Sequence, residues 1–424
     1  MQKEEDEKFH EIDEDRFDDS ENKYFQFPSD DEDDEMLPDY DEDFFDSVLG
    51  MTDMFSGIVN QLISMLPDEM HEYGRIALEA IFASGKGDYK ESNKLLHKLK
   101  KFDDFKAGSG VDLLEGNNYT DEANAILRET GNLDRVQSLL KKAKKSFMRY
   151  IDRYDENCSL SEYNDYLFAR AEKARAGLLT GDGKGVFSSA LWLSGNADFD
   201  ILRVMNALEE YFLPPDDEED SFYSDSFYLF ETEADSVVSI RYQANNFNDI
   251  ADEIPEALKD EFVRSGYNGN GGCIQILVDG EPFSAAYDMQ LVLTALFHEY
   301  GDDVSSIRIG EELFPLSAKD SIIEDTAEDI DSSVVFLQIG CTHYNDTGVY
   351  VLRTHSGLSW GRKDVAIELK HEPLQKDYAT VYNAMARNIK RALKDGDIIN
   401  SNDAGYKVYT STDRGEELFF LKEE

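Results

Sequence analysis

Residues 357–361 read Gly-Leu-Ser-Trp-Gly, a letter-for-letter match to G-x-S-x-G. In α/β-hydrolases that spacing lifts a nucleophilic serine onto a sharp turn between a strand and the helix that follows it. Here Ser359 would be the nucleophile, and Asp364 and His371 the acid and base available later in the chain. The flanking elements decide whether the motif works. Before it, Val349, Val351 and Arg353 alternate with Tyr350 and Leu352, the period of a strand. After it, Val365, Ile367 and Leu369 alternate with Ala366, Glu368 and Lys370, so a second strand stands where the motif needs a helix. The stretch reads as a β-hairpin with Gly357 and Gly361 in turn conformations. Its tip would present Trp360, Arg362 and Lys363 as a contact surface. No catalytic residue is assigned. A hydrolase-type enzyme with a site assembled from scattered residues of the C-terminal domain is the alternative reading.

Three further stretches approach known chemistry and miss it. "LLTGDGKGVFSS" (178–189) carries Leu178 and Gly185 where a phosphate-binding loop needs Gly and Ser/Thr. The hydroxyl that would ligate Mg²⁺ is missing, so this reads as a turn between helices. "FHEYGDD" (297–303) begins like H-E-x-x-H but ends on Asp302, and a histidine followed by Gly301 suits a helix C-terminus. Cys341 and His343 fall on one face of a strand, yet two ligands do not hold a metal. The three cysteines, Cys158, Cys273 and Cys341, have no disulfide or zinc spacing. Neither a metal nor a cofactor is expected.

The elements that must position any site belong to a very acidic chain. Its 424 residues include 90 Asp and Glu against 42 Lys and Arg, a formal net charge of −48. A protein that binds nucleic acid directly needs basic surface to displace counterions, so direct nucleic-acid binding is not expected. The charge favours basic partners and repels anionic membranes. No basic n-region precedes an apolar segment at the N-terminus, and no run approaches 18 apolar residues, so a cytoplasmic protein is expected.

Charge divides the chain into regions. Residues 1–50 carry 22 acidic and four basic residues, with aromatics threaded through them: Phe9, Phe17, Tyr24, Phe25, Phe27, Tyr40, Phe44 and Phe45. Such a density of like charge opposes compaction, so a disordered acidic tail is expected. "DYDEDFF" resembles the acidic, aromatic-punctuated motifs of histone chaperones and nucleic-acid mimics, which implies docking on a basic surface.

Residues 51–213 read as helical, and 51–200 carry a nearly balanced 24 acidic and 20 basic residues. Within "DRVQSLLKKAKKSFMRYIDRY" (134–154) an apolar stripe opposes a basic one of Lys141, Lys145, Arg149 and Arg153. "GDYKESNKLL" (87–96) and "GNLDRVQSLL" (131–140) share a Gly-Asp or Gly-Asn pair that ends one helix and caps the next. The pattern resembles tetratricopeptide-type helical hairpins, at a spacing of 44 rather than 34 residues.

Residues 214–236 open on Pro214-Pro215 and form an acidic linker, with a strand pattern already at 226–231 ("SFYLFE"). Beyond it, 237–424 alternate strand patterns with three helical ones, a mixed α/β domain. "VRSGYNGNGGC" (263–273) resembles the GNG turn of some small immunity-protein families.

The expected architecture is therefore α+β: a disordered acidic tail, an α-helical hairpin or bundle domain, and a C-terminal mixed α/β domain with a largely antiparallel sheet. The expected function is an acidic protein-interaction module for a basic partner, such as a nucleic-acid-binding protein, a nuclease or a toxin. Tyr40, Phe44 and Phe45 would anchor it, and Lys141, Lys145, Arg149, Arg153, Trp360 and Arg362 would make further contacts. Opposite charges in neighbouring regions also suggest an intramolecular contact between the tail and the basic helix stripe.

Overall fold

The computed structural model describes residues 71–102, 109–154, 159–194, 199–212, 221–244, 254, 259–265, 267, 271–310, 312–316, 339–344, 347–401, 404–413 and 416–423. The fold is α+β, with one unit ending at Ala176 and a second running from Gly177 to Glu424. The acidic tail, with Tyr40, Phe44 and Phe45, lies outside the described residues, as do Cys158 and part of the GNG turn.

The first unit contains α1 (His71–Gly85), α2 (Tyr89–Leu99), α3 (Gly110–Thr130), α4 (Leu133–Ile151) and α5 (Leu160–Leu179), the last reaching a little past the division. The two Gly-Asx pairs act as the sequence suggests. Gly87 and Gly131 take positive φ of 75° and 62°. Asp88 then caps α2 by accepting from the Glu91 amide, and Asn132 caps α4 by accepting from the Arg135 amide. The α1–α2 hairpin closes on Ile76, Ala80, Leu95, Leu96 and Leu99. The helices α3 and α4 approach closely enough that a Cβ on Gly116 would lie 2.5 Å from the Phe147 ring.

The second unit holds two sheets. The strands of the first are β1 (Val186–Leu193), β2 (Ser221–Ser224), β3 (Phe227–Glu231), β4 (Val237–Gln243), β5 (Cys273–Asp279), β6 (Val304–Ile309) and β7 (Glu312–Pro315). Their order is β2-β3-β4-β5-β1-β6-β7, antiparallel throughout. The second sheet has β8 (Ile339–Tyr344), β9 (Val349–Thr354), β10 (Val365–Leu369), β11 (Ile398–Ser401), β12 (Ala404–Asp413) and β13 (Glu416–Glu423). Its order is β11-β12-β13-β10-β9-β8, with β10 and β13 parallel and the other pairs antiparallel. The connecting helices are α6 (Ile201–Glu209), α7 (Lys259–Arg264), α8 (Pro282–Tyr300), α9 (Gly357–Trp360) and α10 (Gln375–Lys390). One apolar core joins the inner face of the first sheet, α8, α10 and the inner face of the second sheet.

Two expectations about elements are corrected. The helical stretch expected to reach 213 gives way at Val186–Leu193 to β1, which lies between β5 and β6. "VFSSALWL" buries Val186 and Trp192 on one face and Phe187, Leu191 and Leu193 on the other, with Ser188-Ser189 between them, so it shows neither clean alternation nor helical period. The acidic linker expected at 214–236 contains β2 as well as β3, the strand expected at 226–231, and the two form an edge hairpin of the first sheet.

Candidate binding surfaces

The basic stripe on α4 divides in two. Lys141 and Lys145 are exposed, and Arg153 is exposed beyond the helix end. Arg149 instead turns toward α3. Its Nε donates to Asp112 at 2.8 Å and its Nη2 to Glu115 at 2.6 Å. Lys100 donates to the same two carboxylates at 2.9 and 2.6 Å, and Ser146 to Glu115 at 2.7 Å. Asp112 and Glu115 are buried, so two cations and a hydroxyl stabilise two desolvated charges. Arg149 is thus a structural clamp as well as a member of the stripe. The other half of the expected tail-to-helix contact lies outside the described residues.

The hairpin between β9 and β10 forms as expected, closed by the single turn α9. Gly361 takes φ 61°. Trp360 corrects the expectation of an exposed tip. It is 3% exposed, with its ring 5.1 Å from Phe187 and 5.4 Å from Phe283. An indole removed from water gains more than one left at a turn, so the tip folds inward. Arg362 closes the end of α10, donating from Nε to the Asn388 carbonyl at 2.9 Å. Lys363 pairs with Glu417 at 2.8 Å.

Residues that could have made a hydrolase are engaged elsewhere. Asp364 accepts from the Thr354 hydroxyl at 2.6 Å and the Gly357 amide at 2.9 Å. His371 is exposed and its Nδ1 lies 2.8 Å from the Glu372 carbonyl. The Ser359 carbonyl accepts from the Gly185 amide at 2.7 Å, tying the hairpin tip to the loop before β1. That loop runs from helix α5 into strand β1, not between two helices as expected, and reverses the strand-to-helix order of a phosphate-binding loop. Cys341 is buried in the core, and His343 stacks on Tyr350 with centroids 4.2 Å apart. Among the described residues no group of three His, Cys, Asp or Glu side chains could hold a metal.

A surface that the sequence reading missed lies on the first sheet. Its inner face packs on α8, and its register builds rows of side chains across the other face. One row runs Phe227, Arg241, Gln275, Ala190, Arg308, Leu313. The two arginines are three strand spacings apart, roughly 14 Å. Each lies against an aromatic ring: Arg241 is 4.9 Å from the Phe227 centroid and Arg308 is 5.3 Å from that of Trp192. The row on one side holds Gln243, Cys273, Trp192 and Ser306, and the row on the other holds Leu229, Ser239, Leu277 and Ser188. Gln275 donates to Gln243 at 3.3 Å. Burial pushes the Cys273 thiol up to about 12, which makes it a packing residue rather than a nucleophile. A local clue was present, since Ser-Ile-Arg occurs at both 239–241 and 306–308. An arginine between apolar residues marks the non-core face of a strand, but only the register shows that the two arginines share a row.

The fold and this face define an α+β protein of two units, one built of helical hairpins and one of two sheets with a cation-and-aromatic face. No family model, curated protein or solved structure matches the chain. No helix among the described residues is long and apolar enough to cross a membrane.

Proposed function

We propose that the protein is an acidic interaction module that captures a basic protein in the cytoplasm: a nucleic-acid-binding protein, a nuclease or a toxin. The observation that carries this reading is the uneven distribution of charge. Residues 1–50 hold 22 acidic and four basic residues, and residues 201–424 hold 44 and 18, whereas 51–200 are nearly balanced at 24 and 20. Long-range attraction from the acidic regions would accelerate encounter, and the tail aromatics, Tyr40, Phe44 and Phe45 among them, would slow dissociation. Lys141 and Lys145 lie on the balanced unit, where acidic side chains of the same partner would meet them. The nucleophile-elbow form of the hydrolase alternative loses its acid and base, because Asp364 and His371 are turned to other partners.

The test is affinity capture from native lysate at low and at high salt, followed by kinetics on the recovered protein. A basic protein retained only at low salt is expected, with an association rate about tenfold lower after deletion of residues 1–46. Recovery of no basic protein at either salt would overturn the reading.

A further inference from the structure

The non-core face of the first sheet is buried well beyond its one described apolar cover. That cover consists of Ile254, Phe262 and Tyr267 over Trp192, Cys273, Ala190 and Leu313. Away from it, Leu229, Val237 and Leu277 are 0%, 0% and 3% exposed, whereas Arg308, between Ala190 and Leu313 in its row and against Trp192, lies beside the cover itself. Three polar groups on the face are also buried without a hydrogen bond: the hydroxyls of Ser239 and Ser306, and Nε2 of Gln243. Orphaned polar atoms of this kind are rare in folded proteins, and their clustering on one face points to a cover with acceptor groups. The cover must suit Arg241, partnerless hydroxyl and amide groups, and an apolar patch along β3, β4 and β5. Carboxylates interleaved with large apolar side chains meet that description.

We propose that the N-terminal acidic segment, residues 1–50, docks on this face of its own chain. Its carboxylates meet Arg241 and Ser239, and its rings lie on Leu229, Val237 and Leu277. Composition selects it over the other acidic stretches outside the described residues. It carries eight aromatics, against one (Phe336) in 317–338, one (Phe247) in 245–253 and none in 214–220. Reach is no obstacle, because fifty extended residues span up to roughly 165 Å. Tethering also favours it over a free polyanion, which would have to approach a chain of net charge −48, whereas a linked segment acts at an effective concentration of order millimolar. The docked tail would be withheld from other basic surfaces, so a basic partner competes with the sheet for it. The intramolecular contact itself stands without that partner.

The experiment uses the full chain with a photo-crosslinking benzoyl-phenylalanine at Phe9, Phe17 or Phe25, each alone, and maps the adducts by mass spectrometry. Expected are intramolecular adducts within 186–193, 227–243, 273–279 or 304–309. Their yield is expected to fall several-fold in 1 M NaCl, where the Debye length is about 3 Å. The yield is also expected to fall several-fold in Arg241→Glu, to be kept in Arg241→Lys, and to be unchanged in Lys141→Glu/Lys145→Glu. Adducts on 133–151, adducts between isotopically distinct copies, or no adducts from any of the three positions would overturn the proposal. Should Arg241→Glu fail to fold by circular dichroism, the adduct map and its salt dependence in the unsubstituted backbone decide alone. Failure to recover a basic partner from lysate leaves these adducts unaffected, so the two readings fail separately.

Discussion

Arg149 donates to Glu115 at 2.6 Å across the α3–α4 hairpin, and Glu115 is buried. Removing one member of a buried ion pair leaves the other charge desolvated and uncompensated. Lys100 still reaches Glu115 at 2.6 Å and limits the loss. Arg149→Met is therefore expected to destabilise the protein by about 2–4 kcal/mol, measured by urea unfolding. The exposed Lys141→Glu and Lys145→Glu changes are expected to stay within about 0.5 kcal/mol. Equal effects at all three positions would show that Arg149 is only a surface charge.

The hairpin tip yields a second contrast. Trp360→Ala opens a cavity against Phe187 and Phe283 and is expected to cost about 3–5 kcal/mol. The Trp360 indole N–H is buried without a hydrogen bond. Trp360→Phe keeps much of the ring and removes that donor, so it is expected to cost less than about half as much. Ser359→Ala is expected to change stability by less than about 0.5 kcal/mol and to leave any hydrolytic activity intact. Loss of a measured hydrolysis in Ser359→Ala, with an unchanged unfolding midpoint, would revive the nucleophile reading.

Gly116 and Phe147 form a tight contact that can be tested as a pair. Gly116→Ala would place a methyl 2.5 Å from the Phe147 ring, inside a core where the ring is fully buried. Overpacking of this kind costs about 1–3 kcal/mol. Phe147→Leu alone leaves a void, but it makes room for the new methyl. The double variant is therefore expected to be more stable than the sum of the two single losses implies, by about 1 kcal/mol in a denaturation cycle. Additive losses would mean that the helices separate freely.

What could be read from the sequence was what depends on near neighbours. Gly87-Asp88 and Gly131-Asn132 announce helix ends because φ and capping are set within a few residues. Alternation in 237–243 and 349–354 announces strands for the same reason. β1 was hidden because a strand central to a sheet and buried on both faces loses its alternation. Trp360 was misplaced because its burial depends on Phe187 and Phe283, which are distant in sequence. The row of Arg241, Gln275, Ala190 and Arg308 depends on three strand registers at once, and none of these is local.

His355 gives the chain a built-in response to acid. Desolvation of its half-buried ring, with a smaller contribution from the charge of Arg353, lowers its pKa from 6.5 to about 4. Above pH 6.5 the ring is neutral in both the folded and the unfolded chain, and its contribution to stability is fully present. Between 6.5 and 4 the unfolded chain takes up a proton that the folded chain refuses, so stability falls with pH. The loss from this one group approaches about 3 kcal/mol by pH 4. His355→Gln removes the titration without removing the other groups that respond to acid. Urea unfolding of both proteins from pH 7 to pH 4.5 should then show the parent losing about 2–3 kcal/mol more than the variant. Parallel pH profiles would show that the imidazole is hydrated in the folded chain and that its proton costs nothing there.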